Sequence, residues 1–597
     1  MKYRADIDGL RAIAVLSVVA FHLNHEWLPG GFIGVDIFFV ISGYLITSVI
    51  LQELSTSDFS LATFYQRRIA RIFPAFAFVA IVTSIASAFV YSPQDFASAG
   101  ANLSAAMMSL ANMKYMLQGS YFDISPDAQP FLHYWSLSVE EQFYLLFPTI
   151  IILLNKARRL SVFSMSIIFI ASIILCISLT YYRPNYAFYL LPTRTWELLA
   201  GSLVALVHAR SPSQLRTKIS SVPSFIFATI ILASLLLIEN SRHFPGYVAL
   251  IPVLGTAGIL MRTDSSSDTV TRILSSTPLV NIGKLSFSLY LWHWPIFSLI
   301  DYQFYQSTSL FRLVLKIAIT SVATVITYHA LERPARRALA RKGSGPAAYS
   351  AFILISLTCI VAGIIIRQAN YVNSDENQII SGGLYFGHEN PSGSVILMGD
   401  SNGSMYGKAV REVCQSLACN LNVISISAGD PLPAVDGRLN QQWVDSLQAV
   451  RMLRPDVLVL AYAWSAKIYD HPIRLHEAIR DLSTHAKHII ILNQPPTLPL
   501  NASRTAIRAG QSISFREEEG LRLRRIEINA LLGKLASSNI KILDIASSFE
   551  SESGEIVFLD PEGRQMYQDS THISGFGALA VRKKIEPAIA AILQPFK

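Results

Sequence analysis

Long apolar runs fill the first two-thirds of this 597-residue chain and are missing from the last third. A helix crossing a bilayer needs roughly 20 mostly apolar residues, because about 30 Å of hydrocarbon must be spanned at about 1.5 Å per residue. About eleven runs meet that need, centred near Val18, Ile41, Val82, Phe147, Ile168, Ala200, Ile230, Leu254, Leu291, Thr320 and Leu357. A weaker run around Ala105 lies in the longest loop and is read as non-spanning. Charged residues make up 15% of the chain, against about 25% for ordinary soluble sequence. A multi-span α-helical membrane bundle followed by a water-soluble domain is therefore expected.

The formal net charge is +8, but its placement argues against a nucleic-acid partner. Lys and Arg sit in short clusters between apolar runs, such as Arg67, Arg68 and Arg71 or Arg333, Arg336 and Arg337. The alternate loops hold only Lys114, Arg183, Arg242 and Arg312. The positive-inside bias then puts the N-terminus in the cytoplasm. An odd number of spans puts everything beyond about Arg367 outside, which for a bacterial inner membrane is the periplasm. The first apolar run contains His22 and has no small-residue cleavage site, so no cleavable signal peptide is expected. No zinc spacing or Walker loop occurs, and no metal is expected. Cys176 and Cys359 lie in apolar runs. Cys414 and Cys419 fall in the water-soluble part, where a local disulfide and two free thiols are both open.

An ionisable residue within a membrane is costly and marks a candidate for function. Arg11 and His22 are eleven residues apart in the first run, on nearly one helix face and about 16 Å apart along the axis. An Arg at the entrance and an imidazole deeper in suit an anionic thioester donor and a general base. The plainer alternative is a snorkelling Arg and an internally hydrogen-bonded His. Asp36 opens the second run, where Ser42-Gly43 permits close helix packing. Arg67-Arg68 and Arg71, ahead of Pro74, suit phosphate through bidentate hydrogen bonds, or simply anchor the topology. Glu140-Glu141 enters an apolar helix, and one of the two carboxylates is placed to pair with His22. Arg194-Thr195-Trp196-Glu197 and Trp292-His293-Trp294-Pro295 add further polar groups.

These motifs occur in a fixed order: R-x10-H, F-F-V-I-S-G, R-R-I-A-R-I-F-P, H-Y-W-S-L-S-V-E-E-Q-F-Y and L-W-H-W-P. Over roughly residues 5 to 335 the chain resembles the membrane acyltransferase-3 family. The resemblance implies transfer of an acyl group, usually acetyl, from cytoplasmic acetyl-CoA to an extracytoplasmic sugar, with no bound cofactor. It implies that Arg11 and His22 are essential, that Arg67, Arg68 and Arg71 serve the donor, and that Glu140 is a partner of His22.

Residues 368 to 392 read as a polar linker. Beyond them strands are expected at Val395–Met398, Val423–Ile426, Val457–Leu460, His488–Leu492 and Ile540–Leu543. Helical stretches lie between, notably Arg516–Ala536, so a parallel sheet covered on both faces follows. Ser401 in Gly399-Asp400-Ser401-Asn402 comes directly after a strand and before a helix, where backbone donors favour an oxyanion. Asp569, three residues before His572, is placed to orient that imidazole, which in turn deprotonates Ser401. The two motifs at opposite ends of one α/β domain resemble the SGNH hydrolase superfamily, with its flavodoxin-like sheet, over about 394 to 590. That resemblance makes Ser401 the nucleophile, His572 the base and Asp569 its orienter. The Gly429 and Ser401 backbone N–H groups become the oxyanion donors. The family's Asn block is replaced by Ala461-Tyr462-Ala463-Trp464-Ser465, and Asn493 reads as a turn residue.

The expected organisation is residues 1–340 as the acyltransferase membrane domain, 341–392 as an additional span and linker, and 393–597 as the outer hydrolase-like domain. The expected function is O-acetylation of a cell-envelope polysaccharide, with lipopolysaccharide O-antigen preferred over peptidoglycan. The alternatives are a carbohydrate acetylesterase joined to a separate membrane domain, and a solute transporter whose pathway is the charged residues of the bundle.

Overall fold

The computed structural model describes residues 3–56, 59–91, 93–118, 129–210, 222–239, 244–262, 268–304, 307–341, 343–370, 383–426, 429–434, 440–499, 515–567 and 570–593. It divides into two compact units, Met1–Asn370 and Tyr371–Lys597.

The first unit is helical. All eleven apolar runs fall on helices, and among the described residues seven helices are long and apolar enough to cross a membrane. Of the remaining runs, Ser224–Leu237 and Leu250–Met261 are shorter. The other two are α1 (Ala5–Leu23) and the Thr277–Gln303 helix, which carry buried polar groups including Asp6 and His293. The run around Ala105 forms the Pro93–Met107 helix, packed along Gly345–Asn370. Helices such as Val162–Tyr182 and Ser309–Thr327 leave Ile167, Leu175, Val322 and Ile326 exposed. Such surface is stable against lipid tails rather than water.

The interior is built by close backbone approach. A Cβ at Gly43 in α2 (Gly34–Ser55) would collide with the Leu198 carbonyl group. Beside it Thr47 Oγ1 donates to Ser202 Oγ at 2.8 Å. Without a hydrophobic drive between helices in lipid, such small-residue contacts and buried hydrogen bonds hold the bundle. A cluster of charges lies in the same interface. Arg194 Nη2 is 3.1 Å from Asp36 Oδ1 and Arg194 Nη1 is 2.9 Å from Glu197 Oε1, all fully buried. Phe39, Trp135, Phe188 and Phe244 ring the guanidinium.

The second unit is a six-stranded sheet, in the order β1-β3-β2-β4-β5-β6. The strands are β1 Leu384–Phe386, β2 Ser394–Asp400, β3 Asn420–Ile426, β4 Val457–Ala461, β5 His488–Leu492 and β6 Ile540–Leu543. β2 to β6 are parallel, and β1 pairs antiparallel with β3. Alternate residues of β2 feed two cores. Val395 and Leu397 meet Val410 and Val581 on one face, while Ile396 and Met398 join Trp443 and Ile479 on the other. Helices cover both faces, as expected of a parallel sheet. β2 lies between β3 and β4, so the chain leaves it in opposite directions. A crevice forms outside the strand C-termini at such a switch point. Cys414 and Cys419 are buried free thiols, and a hydrogen bond to Cys419 pushes the Cys414 thiol well up.

Candidate functional sites

In the second unit Ser401 begins the one-turn helix Ser401–Ser404 directly off β2, in the crevice at the switch point. Gly399 lies against β4, where any Cβ would collide with the Ala461 carbonyl oxygen. The sharp exit that presents Ser401 therefore requires glycine. Asp400 is buried and caps the turn, accepting from Asn402 N–H at 2.8 Å. Its carboxylate also accepts from Ala463 N–H at 3.1 Å, which ties the end of β4 to the Ser401 loop. Burial pushes the Asp400 carboxyl up, while these two N–H groups and the charges of Lys467 and His572 act the other way.

His572 Nε2 lies 2.9 Å from Ser401 Oγ. The sequence-predicted nucleophile and base, 171 residues apart, are thus within proton-transfer reach. Thr571 Oγ1 sits 3.2 Å from His572 Nδ1. Asp569 lies outside the described residues.

The oxyanion assignment needs correction at Gly429. Its N–H donates to the Ile426 carbonyl at 3.0 Å and is engaged in a turn. Ser401 N–H stands at the first position of its turn, where a helix supplies no backbone acceptor. The loop in place of the family Asn block has structural uses. Trp464 Nε1 donates to Leu492 O, and Tyr462 OH to Pro431 O. Asn493 is a loop tie, accepting from Ile545 and Ala546 N–H and donating to Asp544. One residue missed in the sequence is Lys467, whose Nζ donates to Gly429 O at 2.7 Å. It lies four residues along a short helix from Ala463, a spacing that gave no signal without the turn in view.

In the first unit a cavity of about 800 Å³ collects Arg11, Arg68 and Arg71. Arg68 and Arg71 are three apart on α3 (Leu61–Val90) and share a face. Arg68 stacks over Tyr144 at 5.1 Å. Arg67 does not line the cavity; it pairs with Glu53, with its side chain 53% exposed. Arg333, Arg336 and Arg337, read from sequence as topology signals, are lining residues. Their i, i+3, i+4 spacing was a legible sign of one shared face. Cations outnumber carboxylates around the cavity, which suits a polyanionic ligand.

Glu140 also lines this cavity, but it does not meet His22. Its carboxylate accepts from Ser42 Oγ and Tyr144 OH. The expected Glu140–His22 pair is therefore corrected: His22 Nδ1 lies 3.2 Å from Nε2 of His293. α1 and the Thr277–Gln303 helix pack along each other, so the imidazoles meet where the carboxylate was expected. His22 borders a second, much smaller cavity with Asp36 and Arg194. Val35 and Tyr290 line both cavities.

A helical bundle with a cation-lined cavity and a pair of facing imidazoles, carried with a Ser–His α/β unit, defines a two-module chain. Residues 4–329 match the family model described as the acyltransferase domain, and residues 371–587 match the SGNH domain fused to such domains. The chain belongs to this acyltransferase family. Similar proteins include the "Putative peptidoglycan O-acetyltransferase YrhL" of Bacillus subtilis, 32% identical over 352 residues, covering 56% of this chain and 55% of that protein. O-acetyltransferase OatA of Staphylococcus aureus is 33% identical over 352 residues, covering 56% and 58%. The chain thus spans little more than half the length of the relatives it matches. A solved structure, the periplasmic domain of a Salmonella ser. Paratyphi A lipopolysaccharide acetyltransferase, aligns with a TM-score of 0.28 and 14% identity. That alignment covers 33% of this chain and 83% of that one.

Proposed function

We propose that this protein is an O-acetyltransferase that moves an acetyl group from cytoplasmic acetyl-CoA across the inner membrane to a hydroxyl of a cell-envelope polysaccharide. The observation that carries the reading is the cation-lined cavity of about 800 Å³ in the membrane unit. It is large enough for a substantial part of a nucleotide thioester. Arg11, Arg68, Arg71 and the Arg333–Arg337 face hold the donor's phosphates, and His22 acts as base for the first transfer. The alternation of Lys and Arg between spans supports a cytoplasmic N-terminus and a periplasmic Tyr371–Lys597 unit.

Ser401, deprotonated by His572 at 2.9 Å, attacks the acetyl ester of the hydroxyl carrier acylated in the first transfer. The carrier oxygen leaves with the proton from His572, and the acyl-enzyme then passes the acetyl group to the sugar hydroxyl. Asp569 orients His572 in this scheme, and Ser401 N–H serves the oxyanion. We place lipopolysaccharide O-antigen first as acceptor, on the resemblance of the two-module chain. Peptidoglycan is the second reading, favoured by the name of the Bacillus relative.

The test is transfer of label from acetyl-CoA to polymer in membranes carrying the intact chain, followed by mass analysis of the envelope glycans. Label on the polymer, lost in His22→Ala and in Ser401→Ala, is the expected result. Polymer that loses acetyl groups without gaining label would instead establish an esterase.

A further inference from the structure

The group against His22 is a second imidazole, and the hydrogen bonds around the pair determine where each proton sits. His293 is fully buried in the Thr277–Gln303 helix. Its Nδ1 lies 2.6 Å from the carbonyl oxygen of Tyr290, one turn back. A carbonyl oxygen only accepts, so Nδ1 carries a hydrogen. Neutral imidazole has one N–H, so Nε2 of His293 presents a lone pair. That lone pair faces His22 Nδ1 at 3.2 Å, with the two rings 13° from parallel. The hydrogen of this contact therefore belongs to His22 Nδ1, and the basic nitrogen of His22 is Nε2. The Trp294 ring packs edge-on against His22 at 4.6 Å and fixes its plane.

We propose that His293 is a positioning residue for acyl transfer. Anchored to its own helix through Tyr290, it accepts from His22 Nδ1 and so presents His22 Nε2 as the proton acceptor. This inference rests on the reading of His22 as the base. In the step it serves, an acceptor hydroxyl gives its proton to His22 Nε2 while its oxygen bonds to the thioester carbonyl carbon. The C–S bond breaks, and the proton passes from Nε2 to the departing thiolate sulfur. Throughout, Nδ1–H stays on His22 and donates to His293. A carboxylate performs this task in a Ser-His-Asp triad; here a neutral acceptor sets the tautomer at a smaller desolvation cost in an apolar interior.

The test uses the full chain in proteoliposomes, with acetyl-CoA as donor and isolated envelope polysaccharide as acceptor, reading kcat and KM for acetyl-CoA. In His293→Gln the side-chain amide reaches the place of Nε2 and still accepts from His22. In His293→Asn the amide reaches only the place of Nδ1, toward Tyr290, and His293→Leu offers neither. General-base assistance is worth about 10²- to 10⁴-fold. The expected result is a kcat loss of at least about 100-fold in the Asn and Leu variants and about 10-fold or less in the Gln variant, with KM little changed. If the three variants fall together, or none falls, the inference is overturned. A His22→Ala protein with parental turnover would sink the reading of His22 itself. An inactive His22→Ala beside unaffected His293 variants would leave that reading standing and remove only this one.

Discussion

Arg67 and Arg68 are neighbours in the chain, yet only the second turns into the cavity. One residue along a helix is a rotation of about 100°, which carries Arg67 out to an exposed pair with Glu53. Such pairs contribute about 0–1 kcal/mol, so Arg67→Gln should leave KM for acetyl-CoA within about 3-fold of the parent. Arg71→Gln and Arg336→Gln each remove a charged donor from the cavity. Hydrogen bonds to charged groups are worth about 1.5–3 kcal/mol, so each should raise that KM about 10- to 100-fold, and more steeply at low salt. Initial-rate measurements over a range of salt check both halves. The sequence was legible here up to a point. Arg11 and two of the three clustered arginines line one cavity, but the partner of His22 depends on how two helices distant in sequence are rotated against each other. Nothing in a run of letters records that rotation, so Glu140 was an equally reasonable partner to His293.

At the scale of elements, the serine unit was read closely because parallel strands buried on both faces leave continuous apolar runs. Five strands lie where the pattern put them. β1 was missed inside a presumed linker: three residues with an exposed Tyr385 are too short to show a period. The Ser401 loop is recognisable as G-D-S, but the hydrogen bonds of Asp400 are not, since its partner Ala463 N–H lies just past the end of another strand. Asp400→Ala leaves Asn402 and Ala463 N–H without that acceptor. Thermal unfolding of the full chain should show a loss of about 1–3 kcal/mol, together with reduced acetyl transfer as Ser401 loses its fixed turn. A second element-scale expectation concerns Arg525, buried between Glu517 and Glu550 at 2.7 Å from each. Arg525→Met strands Glu517 in the interior and should cost about 3–5 kcal/mol by the same measurement.

For the whole molecule, hydropathy divides the chain close to where its contacts do, between the helical bundle ending at Asn370 and the sheet unit beyond. A reporter joined after residue 370 should be active only outside the cytoplasm; activity inside would separate the two chemistries. Ser401→Ala should lower polymer acetylation by about 10³-fold or more, while acetyl-CoA still protects the membrane unit from heat. That split, read by glycan analysis and by donor-dependent melting, distinguishes a relay from two unrelated functions. The cation-lined cavity and the small void beside His22 share two wall residues, Val35 and Tyr290. An isopropyl group and a phenol ring thus form the wall common to both. Thinning that shared wall by Val35→Ala should widen the space beside His22 and raise transfer of longer acyl groups relative to acetyl, read by competition between propionyl and acetyl donors.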